Sequence, residues 1–322
     1  KILPEILSNK IAAGEVVERP ASIVKELVEN ALDAGSSRIM VEVRKGGRSL
    51  IRVSDNGGGM GRDDALLALE RYATSKLASD EDLFAIRTLG FRGEALPSIA
   101  SVSRLTLVSR PADLSAGTEV RVEGGRILNV SETGAPPGTM VTVKDLFFNT
   151  PARRKFLKTV QTEMGHIGDC LAGLALGHPD IDFRLIHNGK ATRRWPAVSD
   201  SGDRVADVLG RSLQDDLFPL ALENEAAAVT GWAASPRVNR SVAAAFGLSV
   251  VLLTAAPEDK EAEMQASHGE QEIVGNDPVP VADGLDRHGC PRRKTLESFT
   301  DLSLLVCYPH FSKNPALLIF RA

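Results

Sequence analysis

Residues 20 to 35, PASIVKELVENALDAG, constrain this chain more than any other stretch. A proline at the first helical turn, a glycine just past the last periodic position, and Ile23, Val24, Leu27, Val28, Ala31 and Leu32 between them predict one amphipathic helix. At about 100° per residue, Ser22, Glu26, Glu29, Asn30 and Asp33 fall in one stripe opposite the apolar face. That stripe holds no lysine or arginine. A solvated helix face ordinarily mixes signs, because acid–base pairs four residues apart stabilise it by about 0.2–0.5 kcal/mol. Glu26, Glu29, Asp33 and an amide on one face therefore read either as plain solvated surface or as a site over which a cation or a functional water sits.

The length of 322 residues exceeds what one core usually organises, which is about 250–300 residues, so two domains are expected. A net charge of -4 excludes a surface that is basic throughout, and any nucleic-acid contact must then be a local patch. Cys170, Cys290 and Cys307 are odd in number, widely spaced and without a CxxC pair. They support neither a disulfide framework nor a zinc site, and a reducing intracellular setting is expected. No apolar run reaches the roughly 18 residues of a membrane span, and no signal peptide is expected. The chain starts at Lys1 rather than methionine, and a few native residues are expected to be missing there.

Taken in order, residues 5 to 18 have helical spacing at Ile6, Ile11 and Val16, with Gly14 as a break. Val41 to Val43 and Ser49 to Ser54 alternate as strands joined by Gly46 and Gly47. The second strand runs into Asp55-Asn56-Gly57-Gly58-Gly59-Met60. Asn-Gly after a strand can be a hairpin turn. A strand-end carboxylate followed by three glycines can equally accept a hydrogen bond from an exocyclic amine where a flat ligand meets bare backbone. The arrangement is no Rossmann fingerprint, since GxGxxG should open a helix directly after a first strand.

Arg62 to Tyr72 is expected to be helical, with Ala65, Leu66 and Leu69 spaced to bury. Thr74, Ser75 and Lys76 suit either a phosphate contact or an ordinary helix end. In LGFRGEAL, residues 89 to 96, two glycines around Phe91 and Arg92 suit a mobile loop that wraps an anion, ahead of a helix amino terminus; a glycine-rich connector is the plain reading. Strands are expected at Leu105 to Val108, Thr118 to Val122, Thr139 to Val143 and Phe183 to Ile186, the last turning at His187-Asn188-Gly189. Strands after helices imply an α+β sandwich. Arg153, Arg154, Lys155 and Lys158 cluster as a solvated helix face or a phosphate patch. A linker is expected within Trp195 to Asp203, then a second unit with a helix at Val205 to Leu209 and a strand at Ala228 to Ala233. No Ser-His-Asp or Cys-His arrangement and no metal-binding histidine pair is legible.

NKIAAGEVVERPASIVKELVENALDAG, DNGGGM, ATSK, GFRGEAL and NTPARRKF, in that order, resemble the amino-terminal half of the MutL family of DNA mismatch repair ATPases. That family belongs to the gyrase, heat-shock chaperone and histidine-kinase group with the Bergerat nucleotide fold. The resemblance covers residues 1 to 241 and implies a Bergerat-type α/β sandwich over 1–200. An incomplete ribosomal-protein-like second domain over 204–241 and a divergent tail over 242–322 would follow.

The resemblance further implies ATP and Mg2+ as ligands, with Glu26 as the general base that positions water and Asn30 as the magnesium ligand. Asp55 would meet the adenine amine, with Gly57, Gly59, Met60 and Thr139 completing that pocket. Thr74, Ser75 and Lys76, with Gly90, Phe91, Arg92, Gly93, Glu94 and Ala95 of a lid, would contact phosphates, while Glu29 and Asp33 would lend support. Implied partners are DNA, held weakly and without sequence preference, a mismatch-recognition protein, a downstream nuclease or helicase, and a second copy in an ATP-dependent homodimer. No membrane is implied, and the expected location is cytoplasmic. The family's second-domain lysine motif, its groove arginine and its carboxy-terminal domain have no counterpart in this text, so weak ATPase activity is expected.

Overall fold

The computed structural model describes residues 16–71, 73, 89–90, 93–223, 228–234 and 318–321. The expected helix over residues 5 to 18, Thr74, Ser75, Lys76, Phe91 and Arg92, and all of the tail but its last strand lie outside them, apart from Val16, Val17 and Glu18.

The central helix, α1, spans Pro20–Asp33 with proline in its first turn. It buries Ile23, Val24, Leu27, Val28 and Ala31, each at 4% exposure or less. Burial of such side chains contributes about 1.5–3 kcal/mol apiece, so the apolar stripe pins the polar stripe in place. Against α1 lies a mixed sheet in the order β5-β4-β3-β6-β2-β1-β7-β8. Its strands are β1 (Arg38–Arg44), β2 (Leu50–Asp55), β3 (Arg104–Arg110), β4 (Gly117–Glu123), β5 (Arg126–Thr133), β6 (Gly138–Lys144), β7 (Asp182–His187) and β8 (Lys190–Trp195). Only β1 and β7 pair in parallel; every other neighbouring pair is antiparallel.

Short helices α2 (Arg62–Leu67), α3 (Ala95–Ser101) and α4 (Pro151–Phe156) join these strands, and the long α5 (Val160–Gly177) packs beside α1. The expected helix from Arg62 thus ends at Leu67, short of Tyr72. Asn56-Gly57 is not a hairpin turn: β2 pairs with β1 before it and with β6, far along the chain, after it. Asn56 instead staples its loop to the segment after α1, accepting from the N–H groups of Ser37 at 3.1 Å and Arg38 at 2.8 Å.

Beyond β8, α6 (Ser201–Leu209) precedes a second sheet in which β10 (Ala228–Ala234) lies between β9 (Leu217–Glu223) and β11 (Leu318–Arg321), antiparallel to both. The segment expected as a linker runs straight into α6. Arg204 of α6 is fully buried and donates to the carbonyls of Ala175, His178, Pro179, Ile181 and Pro196 at 2.7–3.3 Å. Burial pulls its guanidinium below the usual arginine range, opposed by the charges of Asp207, Asp180 and Asp182. Leu176 at the end of α5, Val205, Leu209 and Leu217 form a small core around it.

Candidate active site

A cleft of about 1050 Å³ opens along the polar face of α1, at the upper end of the range for small-molecule sites. Glu26, Asn30, Asp55, Gly59, Met60, Gly90, Gly93, Glu94, Ala95 and Thr139 all line it, together with Lys25, Glu29 and Asp33. Residues drawn from α1, the end of β2, the start of β6 and the 89–95 loop therefore meet in one place. Gly57 stands behind the wall, where a Cβ would come within 2.7 Å of the Ala34 carbonyl and the Ser36 hydroxyl. The basic residues Arg153, Arg154, Lys155 and Lys158 are not in the cleft; Arg154, Lys155 and Lys158 are exposed, and Phe156 beside them is 80% exposed.

Asp55 sits at the carboxyl end of β2, and its Oδ1 accepts from the N–H of Gly57 at 2.9 Å and of Thr139 at 3.2 Å. A carboxylate offers about four acceptor positions, so capacity remains for a donor entering the cleft. Burial pushes the Asp55 carboxyl above its ordinary value, and the two backbone donors pull against that rise. Ser109 of β3, which nothing in its sequence surroundings singles out, ties the two sides together. Its Oγ accepts from the Met60 N–H at 2.8 Å, lies 2.8 Å from Thr139 Oγ1 and donates to the Gly138 carbonyl at 3.2 Å. Gly138 adopts φ +112°, and a side chain there would run into the backbone of Asp55 and Asn56. Glycine is therefore required for β6 to come this close to the DNGGGM loop.

On α1 the polar stripe has a cation after all. Lys25, from the stripe's flank, places Nζ 2.8 Å from Glu29 Oε2 and 3.8 Å from Glu26 Oε1. Burial tends to lower the Lys25 ammonium, but the hydrogen bond and charge of Glu29, with the charge of Glu26, outweigh it and raise it. Asp33, one turn beyond Glu29, accepts from the N–H groups of Leu89 at 3.0 Å and Gly90 at 3.2 Å, fixing the start of the glycine-rich loop to the end of α1. At the far end of that loop Gly93 has φ +61°, a side chain there would run into the backbone of Ala73, and Glu94 lies 3.9 Å from Arg71.

Residues 18–123 match the family described as histidine kinase-, DNA gyrase B- and HSP90-like ATPases. The ATPase domain of Aquifex aeolicus MutL, solved in complex with ADP, is 36% identical, with a TM-score of 0.53 over 70% of this chain and 79% of that one. The chain belongs to the MutL family. MutL of Geotalea daltonii is 59% identical over 243 residues, and MutL of Citrifermentans bemidjiense 57% over 241, which is 76% and 75% of this chain. The chain spans about 40% of the length of these MutL proteins, 40% of the first and 37% of the second. Its sandwich is the ATPase fold of the MutL amino-terminal domain.

Three features of this MutL site escaped sequence reasoning: the bridge of Lys25, the clamp of Asp33 and the tie of Ser109. Lys25 was findable, since it stands four residues before Glu29. Ser109 was not, because it lies 30 residues from Thr139 in sequence and meets it only through strand pairing.

Proposed function

We propose that this chain binds ATP with Mg2+ and hydrolyses it slowly, as the ATPase region of a MutL-type mismatch repair protein. The observation that supports this best is the meeting in one cleft of Asp55, a half-buried acceptor held by two backbone donors, with Glu26 and Asn30 one turn apart on α1. In this reading Asp55 accepts from the adenine amine, and Gly57, Gly59, Met60 and Thr139 shape the base pocket. Glu26 orients the attacking water and takes its proton. Gly90 to Ala95 and Thr74 to Lys76 hold phosphates, and Asp33 anchors the lid from below.

The donor set suits magnesium. Asn30 offers one neutral amide oxygen, and among the described residues no group of three or more His, Cys, Asp or Glu side chains could cage an ion. Magnesium commonly takes one or two protein ligands and completes its octahedron with phosphates and water. When bound it would neutralise charge on the β- and γ-phosphates, which is most of what phosphoryl transfer asks of a protein.

Lid closure and ATP-dependent dimerisation would then gate contacts with DNA, a mismatch-recognition protein and a downstream nuclease or helicase, in the cytoplasm and on the nucleoid of a bacterial host. No helix among the described residues is long and apolar enough to cross a membrane. A second reading, a nucleotide-gated binding module with little or no turnover, follows from the missing family lysine. ATP titration with and without Mg2+, with phosphate release followed on the same sample, separates the two. Saturable Mg2+-dependent binding with slow release supports the first reading, binding without release supports the second, and no binding removes both.

A further inference from the structure

We propose that Lys25, held in place by the buried carboxylate of Glu29, is a positioning residue for Glu26. This rests on the reading of Glu26 as the group that orients water.

Glu29 is the fixed end of the arrangement. It is 8% exposed, and its helix packs against α5 and the sheet. A buried carboxylate persists as an ion only when paired, and its partner at 2.8 Å is Lys25. The lysine side chain is 52% exposed, and left alone it would sample many rotamers. Anchored at Glu29, its Nζ is delivered to 3.8 Å from one oxygen of Glu26. The same cation therefore bridges two of the carboxylates that line the cleft, one buried and fixed, the other 30% exposed and facing the space where a nucleotide would lie.

The arrangement answers a problem that the helix face sets itself. Glu26, Glu29 and Asp33 are three acidic groups lining a cleft expected to receive a polyphosphate. Like charges at this spacing disfavour one another's ionised forms and push flexible side chains apart. A lysine between Glu26 and Glu29 offsets that repulsion and holds one Glu26 oxygen in place. Around it, Cys170 on α5 adds no competing charge: burial first, then the charge of Glu29, raise its thiol to about 11, so it stays protonated at neutral pH. Asp169, the acidic residue of the same helix whose charge reaches Cys170, is exposed.

The test uses the full chain with Lys25→Met, Lys25→Arg and Glu26→Ala, and two readouts. At saturating Mg-ATP, Lys25→Met should lower turnover by roughly five- to tenfold while the affinity for a non-hydrolysable ATP analogue stays within about twofold, and Lys25→Arg should recover most of the rate. Equal loss of rate and affinity, no loss at all, or an arginine variant no better than methionine would overturn the proposal. The second readout needs no turnover: carbodiimide labelling of Glu26, followed by peptide mass spectrometry. Carbodiimide reacts with the protonated carboxyl, the form a neighbouring ammonium disfavours. Labelling should rise severalfold in Lys25→Met and not in Lys25→Arg; unchanged labelling refutes the contact. If Glu26→Ala turns over like the wild type, the role given to Glu26 fails, whatever the labelling says about Lys25.

Discussion

The backbone N–H of Thr139 donates to Asp55 Oδ1 at 3.2 Å, across 84 residues of chain. Strand pairing brings them together: Ser54 of β2 lies opposite Met140 of β6, so the first residues of one strand meet the last of the other. The ends of two neighbouring strands thus build a carboxylate that is half-buried, oriented and still able to accept. The sheet and the N–H of Gly57 in the glycine loop aim this group together.

Asp55→Asn should keep the fold and lose ligand. The amide oxygen can still accept from Gly57 and Thr139, but the amide presents a donor where the carboxylate presents an acceptor. An unpaired buried polar group costs about 1–3 kcal/mol, so ATP affinity should drop roughly tenfold or more by calorimetry. Equal affinity of the variant, or equal affinity of the wild type for GTP and ATP, removes Asp55 from the base pocket. The sign of the pH effect follows from its raised carboxyl. A folded-state value above the unfolded one means the ionised form is a burden to the fold at neutral pH, relieved as pH falls through the folded value. Asp55→Asn should therefore melt no lower than the wild type at neutral pH, and any advantage should vanish in acid.

Glu26→Ala and Asn30→Ala should separate chemistry from binding. The first should abolish phosphate release and leave ATP bound if, as proposed, Glu26 acts on water rather than on the nucleotide. The second should weaken binding only when Mg2+ is present. Filter binding and phosphate release on both variants decide it, and the opposite pattern would reverse the two roles.

Arg204 carries a prediction about stability. Its side chain satisfies five carbonyls from α5, the 178–181 turn and the end of β8. Arg204→Met preserves much of the length and removes every donor, leaving buried carbonyls unpaired. A loss of about 3 kcal/mol or more is expected in urea unfolding. A loss below about 1 kcal/mol would mean that water replaces the guanidinium.

Much of this was legible because the signals are local. The apolar spacing of α1 and the alternation of β1, β2, β3, β4 and β6 sit in short windows, and their placement followed. What could not be read is what the fold supplies at a distance. β5 shows its side chains mostly to solvent, and Lys190, Ala191, Thr192, Arg193 and Arg194 of β8 are all exposed, so neither sheet edge alternates. α5 carries Gly165, Gly168 and Gly173, which read as breaks. Its start is fixed by Thr159, whose Oγ1 accepts from the Thr162 N–H at 3.2 Å, and Ile167, Leu171 and Ala175 bury one face. At Gly168 the helix packs closely against the guanidinium of Arg193, whereas a side chain at Gly165 would meet open space. Inside the site, the carboxylates stood out and their cation did not, because Lys25 enters from outside the stripe and only its spacing of four from Glu29 marks it.

DNA binding should be weak, salt-sensitive and blind to sequence. Arg154, Lys155 and Lys158 are exposed on and just after α4 on a chain of net charge -4, which gives a local patch rather than a basic face. Binding through a few phosphate contacts should fall steeply between low and physiological salt, and Arg154→Ala with Lys155→Ala should flatten that slope. Tight binding that persists in high salt would contradict this.

The stretch from Val242 to Ala322 carries the last prediction. Resemblance to the family text stops at Ser241, inside what should be a strand-rich domain, and families seldom change in mid-domain. Residues 257–286 are acidic and rich in proline and glycine, while Leu302 to Phe320 is apolar without a period of 2 or 3.6, so composition and pattern disagree with each other. The first two relatives match over 243 and 241 residues, a comparable extent. Residues 235–317 lie outside the described ones, and from the tail only Leu318–Arg321 is described, paired with Thr230 to Ala233 of β10. A four-residue segment with three apolar residues can complete a sheet edge whatever its origin, in a native strand or an accidental one. Our hypothesis is a shift of reading frame near codon 241, with natural divergence as the rival. Translating the coding DNA in the other two frames decides the matter directly. Recovery there of text resembling VNGR and NVHPxK supports the shift, with a tail cut early by protease and hydrolysis far below that of an intact relative. If neither frame yields such text, or if limited proteolysis leaves residues 242–322 intact, the tail is native and the hypothesis is wrong.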